Sequence, residues 1–194
     1  MVRPSRSVQF KIVPLTWEEI FPVWSKRCWP TRISAITTHS SMVFLGGTDM
    51  TVKRYPVSFF GTKRDDGYIF GVIGGHRSTD ELYRHRSFYI DPPYRDGRLA
   101  QALLQRLEDQ AKSEGCTALW GYPRPTIMPS YDRFGMKQVS RWLPVGENGV
   151  PNCYAIKYFE DHISTKDAAL SSPIGKSGDW FSSSMSEQAY AKHQ

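Results

Sequence analysis

A strand-like run that passes almost directly into an amphipathic helix limits the possible folds of this chain more than any other feature. The run SFYID, Ser87 to Asp91, is aromatic and aliphatic, and the two prolines after it end the strand because proline cannot continue a ladder. Beyond the prolines, apolar residues recur every fourth position, which predicts a helix with one buried face. These positions are Leu99, Leu103, Leu107 and Ala111, with Ala100 and Leu104 beside them. A strand followed by such a helix favours a layered α/β fold over a helical bundle or a β-sandwich.

Strands and helices also alternate on the N-terminal side of this unit. The run VQFKIV, Val8 to Val13, predicts a first strand. Thr16 and Glu19 have the spacing of a capping box and predict the start of a helix. Pro22 is expected to break that helix near its middle because proline lacks the N–H group of the helical ladder.

A hairpin and a short helix complete the predicted elements. The runs Val57 to Thr62 and Tyr68 to His76, joined by the charged turn KRDDG, predict a hairpin. Thr117 to Tyr122 predicts a strand, and Pro129 and Gly135 suit the first turn and the end of a helix. MKQVSRWL and CYAIKYF predict two closing strands. The predicted order is β α β β β α β α β β, a mixed α/β (α+β layered) domain.

The length of 194 residues suits one domain with a tail. We expect residues 1–162 to form that domain. Residues 163–194 are Ser-rich, lack sustained periodicity and carry charges that cancel, so we expect a flexible C-terminal tail, although its aromatic residues could anchor it. The formal net charge of +6 therefore belongs to the domain and favours an anionic ligand, though a basic surface alone would explain it equally well.

The chain is expected to be a soluble cytoplasmic protein. Its N-terminus lacks the apolar segment of a secretory signal, and no apolar run is long enough to span a membrane. The cysteines Cys28, Cys116 and Cys153 are odd in number and widely spaced, and they form no CxxC or Cys/His ligand pattern. We therefore expect buried thiols in a reducing compartment, no disulfides and no metal site.

The connection between the central strand and the helix has the features of an anion site. The first N–H groups of a helix lack intrahelical partners and lie at the positive end of its dipole. Gly97 allows a backbone conformation that other residues resist, Ala100 permits close approach, and Arg95 and Arg98 add positive charge. On these residues alone, a phosphate site and an ordinary connection with solvated arginines are equally supported. The sequence is neither a Walker loop nor GxGxxG.

Two segments in this part of the chain resemble the GNAT superfamily of N-acyltransferases. The arrangement P-Y-R-x-x-x-x-A followed by A-L-L is similar to the family's acyl-coenzyme A loop, Q/R-x-x-G-x-G/A, with Arg95 at its first position and Ala100 at its last. Arg98 stands where the family prefers glycine, and Gly97 lies one place earlier. The segment S-Y-D-R-F-G-M, Ser130 to Met136, is similar to F-Y-x-x-x-G-F and puts Tyr131 at the family's tyrosine.

The resemblance implies a GNAT-like mixed central sheet flanked by helices. In that fold the strand before the loop and the strand after the helix splay apart, and the pantetheine of coenzyme A lies between them. Backbone amides from Gly97 to Ala100 would hold the pyrophosphate, Ile90 would bond pantetheine, and Tyr131 would protonate the departing thiolate as general acid. The implied cofactor-binding residues are Ile90, Arg95, Gly97, Arg98, Leu99, Ala100 and Arg133. The implied co-substrate is acetyl-CoA, without a metal.

The implied function is an N-acyltransferase that moves an acetyl or other acyl group to a primary amine of a small molecule or protein. A base must take the proton of the attacking amine. The candidates His76, Asp80, Glu81 and His85 lie just before the central strand, where GGHRSTDEL, Gly74 to Leu82, looks like a loop. His76 and Glu81 are the residues assigned here. A long region, Trp29 to Met50, is expected to shape acceptor specificity, by analogy with the fold.

Two alternatives remain open. A nucleic-acid-directed protein, modifying a base or a tRNA or only binding, would use the basic surface together with Trp120, Tyr122, Arg124 and the YRHR run, Tyr83 to Arg86. A GNAT-like fold could also serve for binding alone, with Arg98 at the glycine position as the only indication. No membrane partner is expected, and the protein could be a monomer or a homodimer.

Overall fold

A computed structural model describes residues 10–33, 35–38, 40, 54–95, 97–143 and 150–159, and the backbone of 43–44 and 47–48. The predicted tail, the boundary at residue 162 and the first two residues of the predicted first strand lie outside these ranges. Within the described residues, no helix has both the length and the apolar character needed to cross a membrane.

The strands form a mixed sheet, as the sequence predicts. They are β1 (Lys11–Pro14), β2 (Val43–Phe44), β3 (Gly47–Thr48), β4 (Val57–Lys63), β5 (Ile69–Arg77), β6 (Leu82–Ile90), β7 (Ala118–Gly121), β8 (Lys137–Gln138) and β9 (Ala155–Tyr158). The main sheet has the order β1-β4-β5-β6-β7-β9-β8, and β2 pairs with β3 separately. Neighbouring strands of the main sheet are antiparallel except for β6 and β7, which are parallel. The predicted α/β fold class is confirmed.

Helices cover both faces of the sheet. They are α1 (Trp17–Val23), which continues into a π-helical turn (Trp24–Cys28), α2 (Arg98–Ser113) and α3 (Met128–Phe134), with a short 3-10 turn at Pro92–Tyr94. The adjacent β4 residues Phe59 and Phe60 pack into different cores, Phe59 with α1 and Phe60 with α2. Because successive strand residues point to opposite faces, α1 and α2 lie on opposite sides of the sheet. All six apolar positions predicted for α2 are buried.

Local sequence signals explain how α1 begins but not how it ends. The Thr16 hydroxyl accepts a hydrogen bond from Glu19 N at 3.3 Å, and the Glu19 carboxylate accepts one from Thr16 N at 3.0 Å, so the predicted capping box forms. The predicted break at Pro22 is wrong. The α-helix continues one residue beyond Pro22 and is followed directly by the π-helical turn. The missing N–H of proline removes one hydrogen bond of the helix but does not end the helical path of the chain.

The central strand β6 starts earlier than the sequence indicates. We expected this strand to begin at Ser87, but it already includes His85, and the segment GGHRSTDEL that we expected as a loop begins within β5, where His76 lies. The charged run Tyr83 to Arg86 is strand because helices or loops cover both faces of the sheet here, and its residues are only 0–4% exposed. Ser87 has φ 55°, next to a shift in the β5–β6 register, and marks a bulge in β6.

Candidate active site

The parallel strands β6 and β7 separate part-way along their length. They pair only from Leu82 and Ala118 to Arg84 and Trp120, although β6 continues to Ile90. After β7 the backbone forms its hydrogen bond on the side away from β6, where Pro123 O accepts a hydrogen bond from Cys153 N at 3.0 Å. The strands therefore open from residues 85 and 121 onward. We call the space between residues 85–90 and residues 121–123 the gap.

The N-terminus of α2 lies just beyond the open end of the gap. Gly97 precedes the helix with φ 88°, a left-handed conformation that favours glycine. The first helical hydrogen bond of this turn joins Gln101 N to Gly97 O at 3.2 Å, so the amides before Gln101 are outside the helical ladder. Leu99 and Ala100 are buried beneath this turn, whereas the Arg98 side chain is exposed.

Three arginines surround this turn. Arg95 Nε donates a hydrogen bond to Ile90 O at 2.7 Å and so ties the turn to the end of β6. Arg133 on α3 reaches the same place, since its Nη2 lies 3.5 Å from the position that a Cβ atom would take at Gly97. The structure thus brings Arg95, Gly97, Arg98 and Arg133 together at one end of the gap.

Tyr131 and His85 meet at the opposite, closed end. The Tyr131 side chain is 2% exposed, and its hydroxyl lies 3.5 Å from His85 Nδ1. The two rings pack edge to face with centroids 4.9 Å apart. His85 lies directly over Gly121, where an added Cβ atom would be 1.8 Å from His85 Nε2. Among the candidate bases, His85 is therefore the one next to Tyr131, and the glycine in the otherwise bulky run ALWGY was the signal for this close approach.

Burial keeps both of these side chains uncharged near neutral pH. Desolvation raises the pKa of the Tyr131 phenol far above its usual value, and Cys153 adds to that increase. Desolvation, assisted by the positive charge of Arg84, lowers the pKa of His85 to about 3. The closed end of the gap therefore holds a phenol that keeps its proton beside a neutral imidazole.

Comparison with known proteins identifies the family of this fold and site. The sequence profile described as the acetyltransferase (GNAT) family matches residues 16–136. The chain belongs to this family. Comparison with curated proteins gives no match.

Several solved structures share the fold of this chain. Ard1 from Thermoplasma volcanium is 17% identical, with a TM-score of 0.60 over 78% of this chain and 98% of that chain. A GNAT superfamily phosphinothricin acetyltransferase from Sinorhizobium meliloti, in complex with acetyl-CoA, is 13% identical, with a TM-score of 0.58 over 81% and 92%. An acetyltransferase of the GNAT family from Staphylococcus aureus Mu50 is 14% identical, with a TM-score of 0.55 over 77% and 99%.

The two assigned bases of this GNAT protein lie away from Tyr131. His76 is fully buried on β5, and its Cα pairs with that of Arg84, so it lies one strand away from the gap. Glu81 lies in the turn before β6, where its carbonyl accepts a hydrogen bond from Thr117 N at 2.8 Å and its side chain is exposed. The structure does not bring either residue into contact with Tyr131, and their role as bases stays a prediction.

No metal cluster occurs in the part of the chain that the structure describes. There, no group of three or more His, Cys, Asp or Glu side chains could hold a metal ion.

We expect Gly121→Ala to destabilise the protein by about 1–3 kcal/mol because the new methyl group overlaps the His85 ring. All three atoms closest to the added Cβ belong to that ring. Urea unfolding of Gly121→Ala in the wild-type and His85→Ala backgrounds measures the overlap directly. Most of the loss should disappear in the His85→Ala background, and an equal loss in both backgrounds would contradict this packing.

Proposed function

We propose that this GNAT protein transfers an acetyl group from acetyl-CoA to a primary amine by direct attack of the amine on the thioester. The observation that carries the proposal is the gap itself. At one end it has the N-terminus of α2, which Gly97 precedes, and at the other end it has the buried hydroxyl of Tyr131. The acetyl-CoA in the complex of the Sinorhizobium meliloti relative supports the choice of co-substrate.

The residues along the gap fit coenzyme A. The amides from Gly97 to Ala100 would hold the pyrophosphate, and Arg95, Arg98 and Arg133 would supply positive charge around it. Ile90 O already accepts a hydrogen bond from Arg95, and its second lone pair is available for pantetheine. On β6, the buried Nε2 of His85 and Oγ of Ser87 have no hydrogen-bond partner among the described residues, which suits a polar ligand in the gap.

Tyr131 acts as the general acid. The lone pair of the amine nitrogen attacks the thioester carbonyl carbon, the carbon–sulfur bond breaks, and the departing thiolate takes the phenol proton. The nitrogen loses one proton to solvent or a base, and the phenolate regains one, so the reaction balances. Burial in this protein raises thiol pKa values too, that of Cys153 to about 11 and that of Cys28 to about 12. A thiolate formed in the gap would therefore be a strong base toward a buried phenol.

Binding of acetyl-CoA tests this proposal through the melting temperature. At about 100 times its dissociation constant, a ligand stabilises the folded state by about 2.7 kcal/mol, which corresponds to a rise of roughly 5 to 10 °C for a chain of this size. We expect that rise for the wild-type protein, and its absence at millimolar acetyl-CoA would contradict the proposal.

Two glycines allow a matched control for this experiment. Gly97 and Gly67 have nearly the same backbone conformation, with φ 88° and φ 84°, but Gly67 lies in the β4–β5 turn. Gly97→Val and Gly67→Val should both lower the melting temperature of the free protein. Only Gly97→Val should lose the response to acetyl-CoA, and equal responses would contradict the assigned cradle.

The alternative of a nucleic-acid-directed protein has less support. The residues from Tyr83 to Arg86 lie within β6 and are almost fully buried, so they are not on the surface where a nucleic acid would contact them. Arg124 is exposed and keeps part of that alternative open to a binding measurement at low salt. We also propose a cytoplasmic location, which the three free thiols favour.

A further inference from the structure

The imidazole of His85 is held between β7 and α3 at the closed end of the gap. Its Nδ1 atom lies 3.5 Å from the Tyr131 hydroxyl. The ring packs on Gly121, where an added Cβ atom would lie 1.8 to 2.5 Å from three atoms of the ring. His85 is 4% exposed and Tyr131 is 2% exposed. The ring therefore has little freedom to move, and Nδ1 is the atom that it presents to the hydroxyl.

The hydrogen bond between these two side chains can form in two ways. The imidazole is uncharged near neutral pH, so it has one N–H group and one nitrogen with a free lone pair. Either Nδ1–H donates to the phenol oxygen, or the phenol donates to Nδ1 and the N–H group lies at Nε2. Nε2 is buried and has no hydrogen-bond partner among the described residues. In folded proteins a buried N–H group without an acceptor is rarer than an acceptor with an unused lone pair, which favours the first arrangement.

The first arrangement directs the phenol proton of Tyr131 away from His85. Among the described residues, His85 is the side chain that forms a hydrogen bond with this hydroxyl. When the phenol oxygen accepts from Nδ1–H, its own proton points elsewhere and is available to a group in the gap. In the second arrangement the phenol proton would lie between the two side chains, where a thiolate could not take it without breaking that bond.

The same N–H group faces the atom on which negative charge develops. A phenol that gives up its proton becomes a phenolate, and burial opposes this change, since it raises the pKa of Tyr131 far above its usual value. A hydrogen bond to an anionic oxygen is about twice as strong as one between neutral groups. Catalytic hydrogen bonds that are long in a free enzyme also often shorten in the reacting complex. The bond from His85 would therefore strengthen as the phenol loses its proton.

We propose that His85 is a positioning residue for Tyr131: its Nδ1–H group donates to the phenol oxygen, directs the phenol proton toward the thiolate and stabilises the phenolate that forms. This inference rests on the proposed function and deepens the role of Tyr131. The thiolate takes the phenol proton, and the phenolate later regains a proton from solvent. The imidazole keeps its own N–H group and stays uncharged throughout.

NMR of the ring nitrogens tests the proposed arrangement without an acceptor amine. The chain has five histidines, so in protein with isotope-labelled histidine the signals that are missing from His85→Asn are those of His85. At pH 7 we expect an uncharged ring with the proton on Nδ1 and a bare Nε2. A proton on Nε2, or on both nitrogens, would overturn the inference.

Asparagine and leucine at position 85 form a matched pair for kinetics. Their side chains have nearly the same shape, but only asparagine carries an N–H group close to the place of Nδ1. With acetyl-CoA and hydroxylamine as a small amine probe, His85→Leu should lower kcat for thiol release by about 10-fold or more. His85→Asn should stay within about 3-fold of the wild-type kcat. The KM for acetyl-CoA should be unchanged in both variants.

The difference between the two variants should depend on the Tyr131 hydroxyl. In the Tyr131→Phe background, His85→Leu and His85→Asn should have the same kcat within about 2-fold, because no phenol oxygen is present to accept the hydrogen bond. A residue that only supports the fold would give the same difference in both backgrounds. The rise in melting temperature with acetyl-CoA shows that each variant is folded and binds the co-substrate. If His85→Leu does not fold, or hydroxylamine is not acetylated, the NMR result for the wild-type protein decides.

The outcomes separate this inference from the proposed function. If acetyl-CoA does not raise the melting temperature of the wild-type protein, the proposed function fails, and the inference fails with it. If acetyl-CoA binds but the proton lies on Nε2, the inference alone is overturned. Equal kcat values for folded His85→Leu and His85→Asn with Tyr131 present would also overturn it, as would a difference that persists in the Tyr131→Phe background.

Discussion

Tyr131→Phe is expected to lower kcat by about 100-fold while leaving the affinity for acetyl-CoA unchanged. The variant removes only the hydroxyl, and the ring keeps its packing against His85 and against Phe88, whose ring centroid lies 6.3 Å away. Without the phenol proton the thiolate must leave as an anion in a buried site, which raises the barrier. Steady-state kinetics with detection of the released thiol, together with calorimetric titration of acetyl-CoA, separate kcat from binding.

A second tyrosine provides the control for this measurement. Tyr158 on β9 is 37% exposed, so Tyr158→Phe should leave kcat within about 2-fold of the wild-type value, as expected for a surface substitution. An unchanged kcat for Tyr131→Phe would remove the general-acid assignment. A large loss of acetyl-CoA affinity instead would show that the hydroxyl acts in binding.

Acidification is expected to destabilise the protein through His85. The pKa of His85 is about 3 in the folded state and 6.5 without burial. Between these values the unfolded chain binds a proton that the folded chain does not, so the free energy of unfolding falls by about 1.4 kcal/mol for each pH unit. The contribution of the neutral, buried imidazole is complete above pH 6.5 and is lost progressively below it.

Urea unfolding at several pH values between 7 and 4 measures this effect. His85→Gln keeps a polar side chain of similar length but cannot titrate, so its free energy of unfolding should fall less steeply with decreasing pH. The steeper slope should thus belong to the wild-type protein. Identical slopes for the two proteins would show that the acid sensitivity arises from other groups.

The sequence predicted the features that depend only on residues close together in the chain. The capping box of Thr16 and Glu19 works through bonds within one turn, and Gly135 ends α3 with φ 92° as its position suggests. The apolar stripe of α2 is equally local, since its period alone determines the buried face. The resemblance of two short segments then supplied the fold and the family, which the match over residues 16–136 confirms.

Features that depend on contacts between residues far apart in the sequence could not be predicted. The run from Tyr83 to Arg86 is polar and charged and was not predicted as part of a strand, yet aromatic rings on one face and helix α2 on the other bury it. The pairing of Gly121 with His85 joins two strands far apart in sequence. Neither pattern contains a local signal strong enough to predict the partner across the sheet.

The position of Arg98 explains why the loop departs from the family pattern. Gly97 takes the left-handed conformation, one place before the position where the family prefers glycine. Arg98 is the first residue of α2 and its side chain is exposed, so the side chain does not crowd the amides of the turn. A pyrophosphate at these amides is therefore compatible with arginine at this position.

A crystal structure of the protein with coenzyme A tests the central claim most directly. We expect the pantetheine arm in the gap between β6 and β7, the pyrophosphate at the amides from Gly97 to Ala100, and the thiol next to the Tyr131 hydroxyl. Coenzyme A bound elsewhere on the protein, or a gap that contains no coenzyme A at a saturating concentration of it, would contradict the claim.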